Sequence, residues 1–284
     1  MNFNNGKELL DLCSKNNLPI SEIMIQRELV NTQTTREEII SKMSEALNIM
    51  KNDIKTPLEQ DLKTMGGLIG GEAKKLNNRI KEGKSLCGSL LSKVLVYSVG
   101  VLEVNASMGV IVAAPTAGAS GVVPGLLLAL KEEFNLSDEI VLNGLFNASA
   151  IGYLLMKNAS VSGAEAGCQA EVGSAAAMAA AAAVEMLGGT PEQSLTAASI
   201  ALQNLLGLVC DPVKGLVEVP CQSRNAIGAS NSLICAEMAL SGIGNIIEFD
   251  EMVTTMYSVG KSIPFELRET ALGGCAKCKI NAKK

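Results

Sequence analysis

Between Gly173 and Leu187 the chain reads Ser174-Ala-Ala-Ala-Met178-Ala-Ala-Ala-Ala-Ala-Val184, a run of high helix propensity with almost no side-chain bulk. Such a helix cannot fill a gap with its own side chains. It is stable only where neighbours close onto its backbone from several sides, so it belongs at the centre of a bundle. Composition points the same way: hydrophobic residues make up 48%, yet aromatics are 3% and Trp is absent. A core of Ala, Leu, Val, Ile and Met favours close-packed helices over aromatic-rich sheets. The expected fold is mainly α, a compact multi-helix domain around the Ala-rich helix. At 284 residues the chain can bury a substantial core.

Other helices are marked by periodicity and caps. Lys7 to Lys15 reads as a short helix and Asn17-Leu18-Pro19 as a turn. From about Ser21 to Lys51, apolar Ile23, Met24, Ile39, Ile40, Met43, Leu47 and Met50 recur at mainly helical spacing. Residues 1–60 are polar and charged and read as a helical lead-in, distinct from an expected all-helical domain over 61–284. After Gly66-Gly67, helices are predicted near Gly71–Glu82, Ser85–Val104, Pro124–Glu133, Ser137–Lys157, Ala226–Leu240 and Asp250–Lys261. Ser137 caps one of these, with Asp138 and Glu139 complementing the dipole of its first turn. Gly188-Gly189 ends the Ala-rich helix. Thr190, Pro191 and Gln193 then form a capping box that opens the next, which runs to about Leu206. Strand-like alternation is scarce, and Leu216–Val219 is the best short candidate.

The net charge of −5 comes with no basic tract, which argues against a nucleic-acid surface. Val104 to Leu130 carries no charge over a length that exceeds a bilayer span. It also holds Asn105, Ser107, Thr116, Ser120, two prolines and several glycines, and a lipid-facing segment could not satisfy that much broken backbone. The stretch reads instead as a buried strand or helix end, a loop and a helix. The start shows no signal-peptide pattern. Eight cysteines in such a chain suit reduced thiols in a cytoplasm better than a disulfide framework.

Three of those cysteines sit in glycine- and proline-marked stretches of a chain without histidine: Gly167-Cys168-Gln-Ala-Glu171, Val209-Cys210-Asp-Pro-Val213 and Val219-Pro220-Cys221-Gln-Ser-Arg-Asn225. Each lies next to a predicted helix end, where free N–H groups stabilise thiolate and sulfide charge. Zinc is less natural here, because paired C-x-x-C knuckles and His are both missing. Spacing alone leaves an iron–sulfur site and three buried thiols equally open. Cys13, Cys87 and Cys235 fall in predicted helices and read as packing residues. Cys275 and Cys278 form a C-x-x-C near the C-terminus, a pattern of redox pairs and half knuckles.

These contexts, together with Ser107-Met-Gly-Val-Ile-Val-Ala-Ala-Pro115-Thr-Ala-Gly-Ala-Ser-Gly121 and Leu267-Arg-Glu-Thr-Ala-Leu-Gly-Gly274, resemble the α chain of iron–sulfur-dependent L-serine dehydratases over essentially the whole length. The resemblance implies a 4Fe–4S cluster on loops at helix ends, held by Cys168, Cys210 and Cys221, with its fourth iron open to L-serine. It also implies a β chain as partner, since this chain looks like the α part alone. In some relatives a tail cysteine approaches the open iron, a role that would fall to Cys275 or Cys278.

On the residues themselves, the small side chains of Pro115–Gly121 let a backbone approach a ligand, although a tight packing turn would look the same. With the resemblance, Thr116, Gly118, Ala119 and Ser120 become candidates for the serine carboxylate, and Asn105 for its amino or carboxylate group. Arg224 could clamp a carboxylate or neutralise a cluster's charge, or simply pair at a helix start. Lys214 is a second isolated cation. Glu171 could orient a ligand, accept a proton or cap the Ala-rich helix. The implied reaction is a β-elimination with the open iron as Lewis acid, and the base is not identified. Rival readings are a cysteine desulfidase-like lyase, a non-catalytic metal-binding subunit, and a pyridoxal phosphate enzyme, for which no lysine has a diagnostic setting.

Overall fold

The computed structural model describes residues 1–279. Its helices are α1 (Gly6–Asn16), α2 (Ile20–Thr32), α3 (Arg36–Glu59), α4 (Glu72–Lys81), α5 (Gly88–Ala106), α6 (Val122–Glu133), α7 (Asp138–Asn158), the single turn α8 (Gly163–Ala166), α9 (Ser174–Met186), α10 (Pro191–Asn204), α11 (Cys221–Leu240) and α12 (Phe249–Ser262). Short 3-10 turns cover Ala117–Ala119, Val213–Gly215, Phe265–Leu267 and Gly274–Lys277.

The Ala-rich helix α9 is the hub. Its residues from Ser174 to Val184 are buried, and α6, α7, α10 and α11 pack around it. Alanine's small size brings the neighbours onto the α9 backbone itself. Ser232 of α11 donates its hydroxyl to the Ala176 carbonyl at 3.0 Å, and Ser194 of α10 donates to Ala181 at 3.2 Å. Glu185, the one charged residue of α9, accepts from the Ser21 amide at 3.2 Å and from Asn147 Nδ2 at 2.7 Å.

Helices α1 to α3 pack on this same core, to which they contribute the buried Leu9, Ile20, Ile23, Ile25 and Leu47. The expected helical stretch over 21–51 is broken at Gln33–Thr35. There Thr35 and Glu38 form a reciprocal capping box that starts α3 afresh. The capping box at Thr190 and Gln193 is present, and Ser137 caps α7 through the Ile140 amide.

Several boundaries differ from expectation. α6 begins at Val122, two residues before Pro124, because proline is tolerated in a first helical turn. α11 begins at Cys221 directly after Pro220, and not at Ala226. The predicted strand at Leu216–Val219 is instead bend and turn, directly after the Val213–Gly215 3-10 turn. Among the described residues the only β pairing is an isolated parallel bridge between Cys210 and Arg268. Cys87 is exposed just before α5 and does not pack in a helix, whereas Cys13 and Cys235 are buried. Helices α5 and α7 are long and apolar enough to cross a membrane by length and composition. In each, 61% of the apolar window is buried inside the fold.

Candidate active site

The three motif cysteines come from three different backbone settings. Cys168 follows α8 and leads into a π-helical turn, Gln169–Gly173, that runs straight into α9. Two contacts hold that turn. The Gln169 side chain donates to the Met256 carbonyl of α12 at 2.7 Å and accepts from the Gly207 amide at 2.8 Å. Gly167 before it has φ +76°, and a Cβ there would lie 2.6 Å from Ile263 and 2.8 Å from the Leu208 carbonyl, which explains the glycine of the Gly-Cys pair. Cys210 lies between α10 and α11. Its amide donates to the Leu267 carbonyl at 2.8 Å, and its carbonyl accepts from the Glu269 amide at 2.7 Å. Cys221 is the first residue of α11.

The fold brings these thiols around Glu171. The Cys210 Sγ–H donates to Glu171 Oε2 at 3.7 Å, a distance suited to sulfur, and Thr116 Oγ1 donates to Glu171 Oε1 at 2.8 Å. The other side of this group is bare backbone. A Cβ on Gly163 would fall 2.5 Å from Glu171 Oε2 and 2.9 Å from Cys210 Sγ, and one on Gly118 would fall 3.1 Å from Glu171 Oε1.

Burial and mutual repulsion make this an acid-rich pocket whose members resist ionising. Burial, then Glu171, pushes the Cys168 thiol up to about 12 against the pull of Arg224. Burial, then Cys168 and Glu171, takes Cys221 to about 12. Cys210 is raised further by burial, Glu171, Cys168, Glu269 and Cys221. Glu171 is itself raised, chiefly by burial and against the Thr116 hydrogen bond. Three thiols and a carboxylate share one space, and Arg224 is the cation that reaches it. A cationic group bound to sulfur would resolve that imbalance, and the donor set is right for one. Among the described residues, no three Cys, Asp or Glu side chains converge as ligands of one metal ion do. Three cysteine sulfurs without histidine are donor chemistry that suits an iron–sulfur group better than a lone zinc.

The serine dehydratase alpha chain family profile matches residues 15–276. This chain belongs to that family. It is 51% identical over 274 residues to the probable L-serine dehydratase alpha chain of Bacillus subtilis, covering 96% of this chain and 91% of that protein. Identity to the L-serine dehydratase alpha chain of Peptoniphilus asaccharolyticus is 45% over 281 residues, covering 99% and 96%. The L-serine dehydratase of Helicobacter pylori is 39% identical over 97% of this chain, but the match spans only 61% of that longer protein.

In this serine dehydratase family chain, the Pro115–Gly121 loop lies directly over the cysteine group. Thr116 and Gly118 are partly exposed and border Glu171, whereas Ala119 and Ser120 are fully buried. The amides of Ala119 and Ser120 close the loop's own turn on the Thr116 and Ala117 carbonyls, each at 3.2 Å. The Ser120 hydroxyl is buried with no partner. Asn105 reaches the same loop, donating to the Ala117 carbonyl at 3.2 Å.

Arg224 is committed within the protein. It donates to the Val209 carbonyl at 2.7 Å and forms an ion pair with Asp211 Oδ1 at 2.8 Å. Burial works against its charge, but Cys168 and Asp211 outweigh that and raise its pKa. The position fits the charge-neutralising reading better than that of a free carboxylate clamp. Lys214 is exposed in the 3-10 turn beyond Asp211 and takes no part.

The tail returns to the same neighbourhood. The Cys275 amide donates to Asp211 Oδ2 at 2.6 Å, and Asp211 raises the Cys275 thiol. Cys278 is exposed, with its thiol only 4.0 Å from the Gly274 carbonyl. Of the two tail cysteines, Cys275 is therefore the one beside the Arg224–Asp211 pair. Sequence reasoning missed Asp211, Gly163 and Asn225. The polar residues inside the Cys-Asp-Pro and Arg-Asn contexts were the one available signal.

Proposed function

We propose that this chain is the α subunit of an iron–sulfur L-serine dehydratase that works with a β chain and converts L-serine to pyruvate and ammonia. The observation that carries the reading is the gathering of Cys168, Cys210 and Cys221 around Glu171, in a family whose named members are L-serine dehydratases. The three thiolates would hold a 4Fe–4S cluster, which when bound supplies a Lewis-acidic iron for the substrate's 3-hydroxyl and so eases departure of a poor leaving group.

The remaining roles belong to this chain's own groups. Thr116 and Gly118 border the place where the substrate's carboxylate and amino group would lie, with Asn105 fixing the loop that carries them. Arg224 offsets the thiolate charge beside Cys168. Loss of the Cα proton and of hydroxide gives aminoacrylate and water. Tautomerisation to the imine and hydrolysis then yield pyruvate and ammonia. The β chain would complete or close the pocket; the L-serine dehydratase of Helicobacter pylori extends well beyond the part that this chain matches. The unpaired cysteines suit the reducing interior of a cell.

The test is anaerobic purification of the chain with its partner, assay of iron and sulfide, and comparison of L-serine, L-threonine and L-cysteine as substrates. Stoichiometric cluster and preferential pyruvate release from L-serine are expected. Cys210→Ala should lose the cluster, and Cys235→Ala should keep it. Pyruvate formed fastest from L-cysteine, or a cluster indifferent to Cys210→Ala, would overturn the reading.

A further inference from the structure

Asn225 sits in the first turns of α11, fully buried, where an asparagine is a poor helix former. Its carboxamide is saturated. Oδ1 accepts from the Gly121 amide at 2.9 Å, while Nδ2 donates to the Gly118 carbonyl at 2.7 Å and to the Cys221 carbonyl at 2.9 Å. Gly118 lies in the middle of the Thr116–Ser120 loop, Gly121 ends it, and Cys221 opens α11. One planar amide thus ties the middle and the end of that loop to the backbone of a candidate cluster ligand. The approach is close as well: a Cβ on Gly121 would meet the Ser98 carbonyl at 2.2 Å and Asn225 Oδ1 at 3.1 Å. The loop cannot pull back from α11 without breaking a buried hydrogen bond, and the unpaired groups left behind would be costly.

The geometry points to Asn225 as a positioning residue that sets the distance between the substrate loop and the Cys221 corner of the cluster. The inference rests on the ligand and loop roles proposed above. In an elimination the carboxylate grip and the hydroxyl-polarising iron must be in register at once. A displacement of the order of 1 Å between them costs up to about 10²-fold in rate. Carboxamide is the side-chain chemistry suited to this: a hydroxyl or carboxylate of similar size cannot accept from one backbone group while donating to two others.

The decisive variant is Asn225→Asp, which keeps size and shape but turns Nδ2 into an oxygen facing two carbonyls. In the holoenzyme, kcat/KM for L-serine should fall about 10²-fold, with KM for L-serine rising. In the cluster-free full chain, alkylation of Cys221 by iodoacetamide, read by mass spectrometry, should speed up several-fold relative to Cys168. A purely structural asparagine would lower thermal stability but leave KM and the Cys221-to-Cys168 ratio unchanged, and that outcome overturns the inference. Should the variant not fold, hydrogen exchange in the unaltered protein decides. A Gly121 amide as protected as those of α6 supports the tether, and one exchanging as fast as the amide of the exposed Val110 overturns it. The alkylation and exchange readings need no turnover. A chain that binds no cluster or ignores L-serine would thus refute the proposed function while still reporting on Asn225.

Discussion

Asp53 is a carboxylate in the wrong place, and its cost can be measured. It lies on the inner face of α3 between Met50 and Pro57, 4% exposed, with Oδ2 buried and without a hydrogen-bond partner. Burial alone pushes its carboxyl from an ordinary 3.8 to about 7. The unfolded chain therefore releases this proton near pH 4 and the folded chain only near pH 7. Between those values the unfolded state binds fewer protons, so stability falls as pH rises. At ~1.4 kcal/mol for each pH unit separating the two states, the cost reaches roughly 2 kcal/mol at about pH 5.5 and roughly 4 kcal/mol above pH 8. Asp53→Asn removes the ionisation, and whatever the neutral amide costs does not vary with pH. The stability difference between variant and unaltered protein should therefore shift in the variant's favour by about 2 kcal/mol between pH 5.5 and 8.5. Urea unfolding followed by circular dichroism at a series of pH values measures that difference, with other titrating groups cancelling. A difference that stays flat, or moves against the variant as pH rises, would refute the account of an unpaired buried carboxylate.

Three further expectations follow from packing and access. Gly163→Ala, whose methyl would lie 2.5 Å from Glu171 Oε2, should lower iron content after anaerobic reconstitution while leaving helical content unchanged. Ala180→Leu places a branched side chain at a fully buried position of α9 and should destabilise by about 1–3 kcal/mol or prevent folding. Thermal melting checks this against a surface Ala→Leu control. In the cluster-free chain, Cys87 and Cys278 should alkylate first and Cys13 and Cys235 last, as read by peptide mapping.

The sequence was most legible where local chemistry decides structure. The Thr190–Gln193 capping box, the Ser137 cap and the bulkless run after Gly173 each act within a turn or two, and each is present. What escaped depends on partners far along the chain. The π turn after Cys168 is held by Gln169 reaching Met256, and nothing within the Gly-Cys-Gln context announces that contact. Among the described residues the single β bridge joins Cys210 to Arg268 across intervening helices, while the Leu216–Val219 pattern finds no strand to pair with. Asn225 and Asp211 lay in plain view inside motifs, but their roles emerge only once Gly121 and Cys275 are brought beside them. Cys87 was misjudged because the helix that was to bury it starts one residue later, which leaves the thiol facing outward.

The pinning of Cys210 makes its position answerable to a distant stretch of chain. Cys210 depends on Leu267 and Glu269 for its backbone bonds, and Asp211 beside it on the amide of Cys275. The turn after Cys168 leans on the same region, through Gln169 and the Met256 carbonyl. A protease that cuts between Met256 and Leu267 would therefore loosen two of the three motif thiols without removing any of the cysteines.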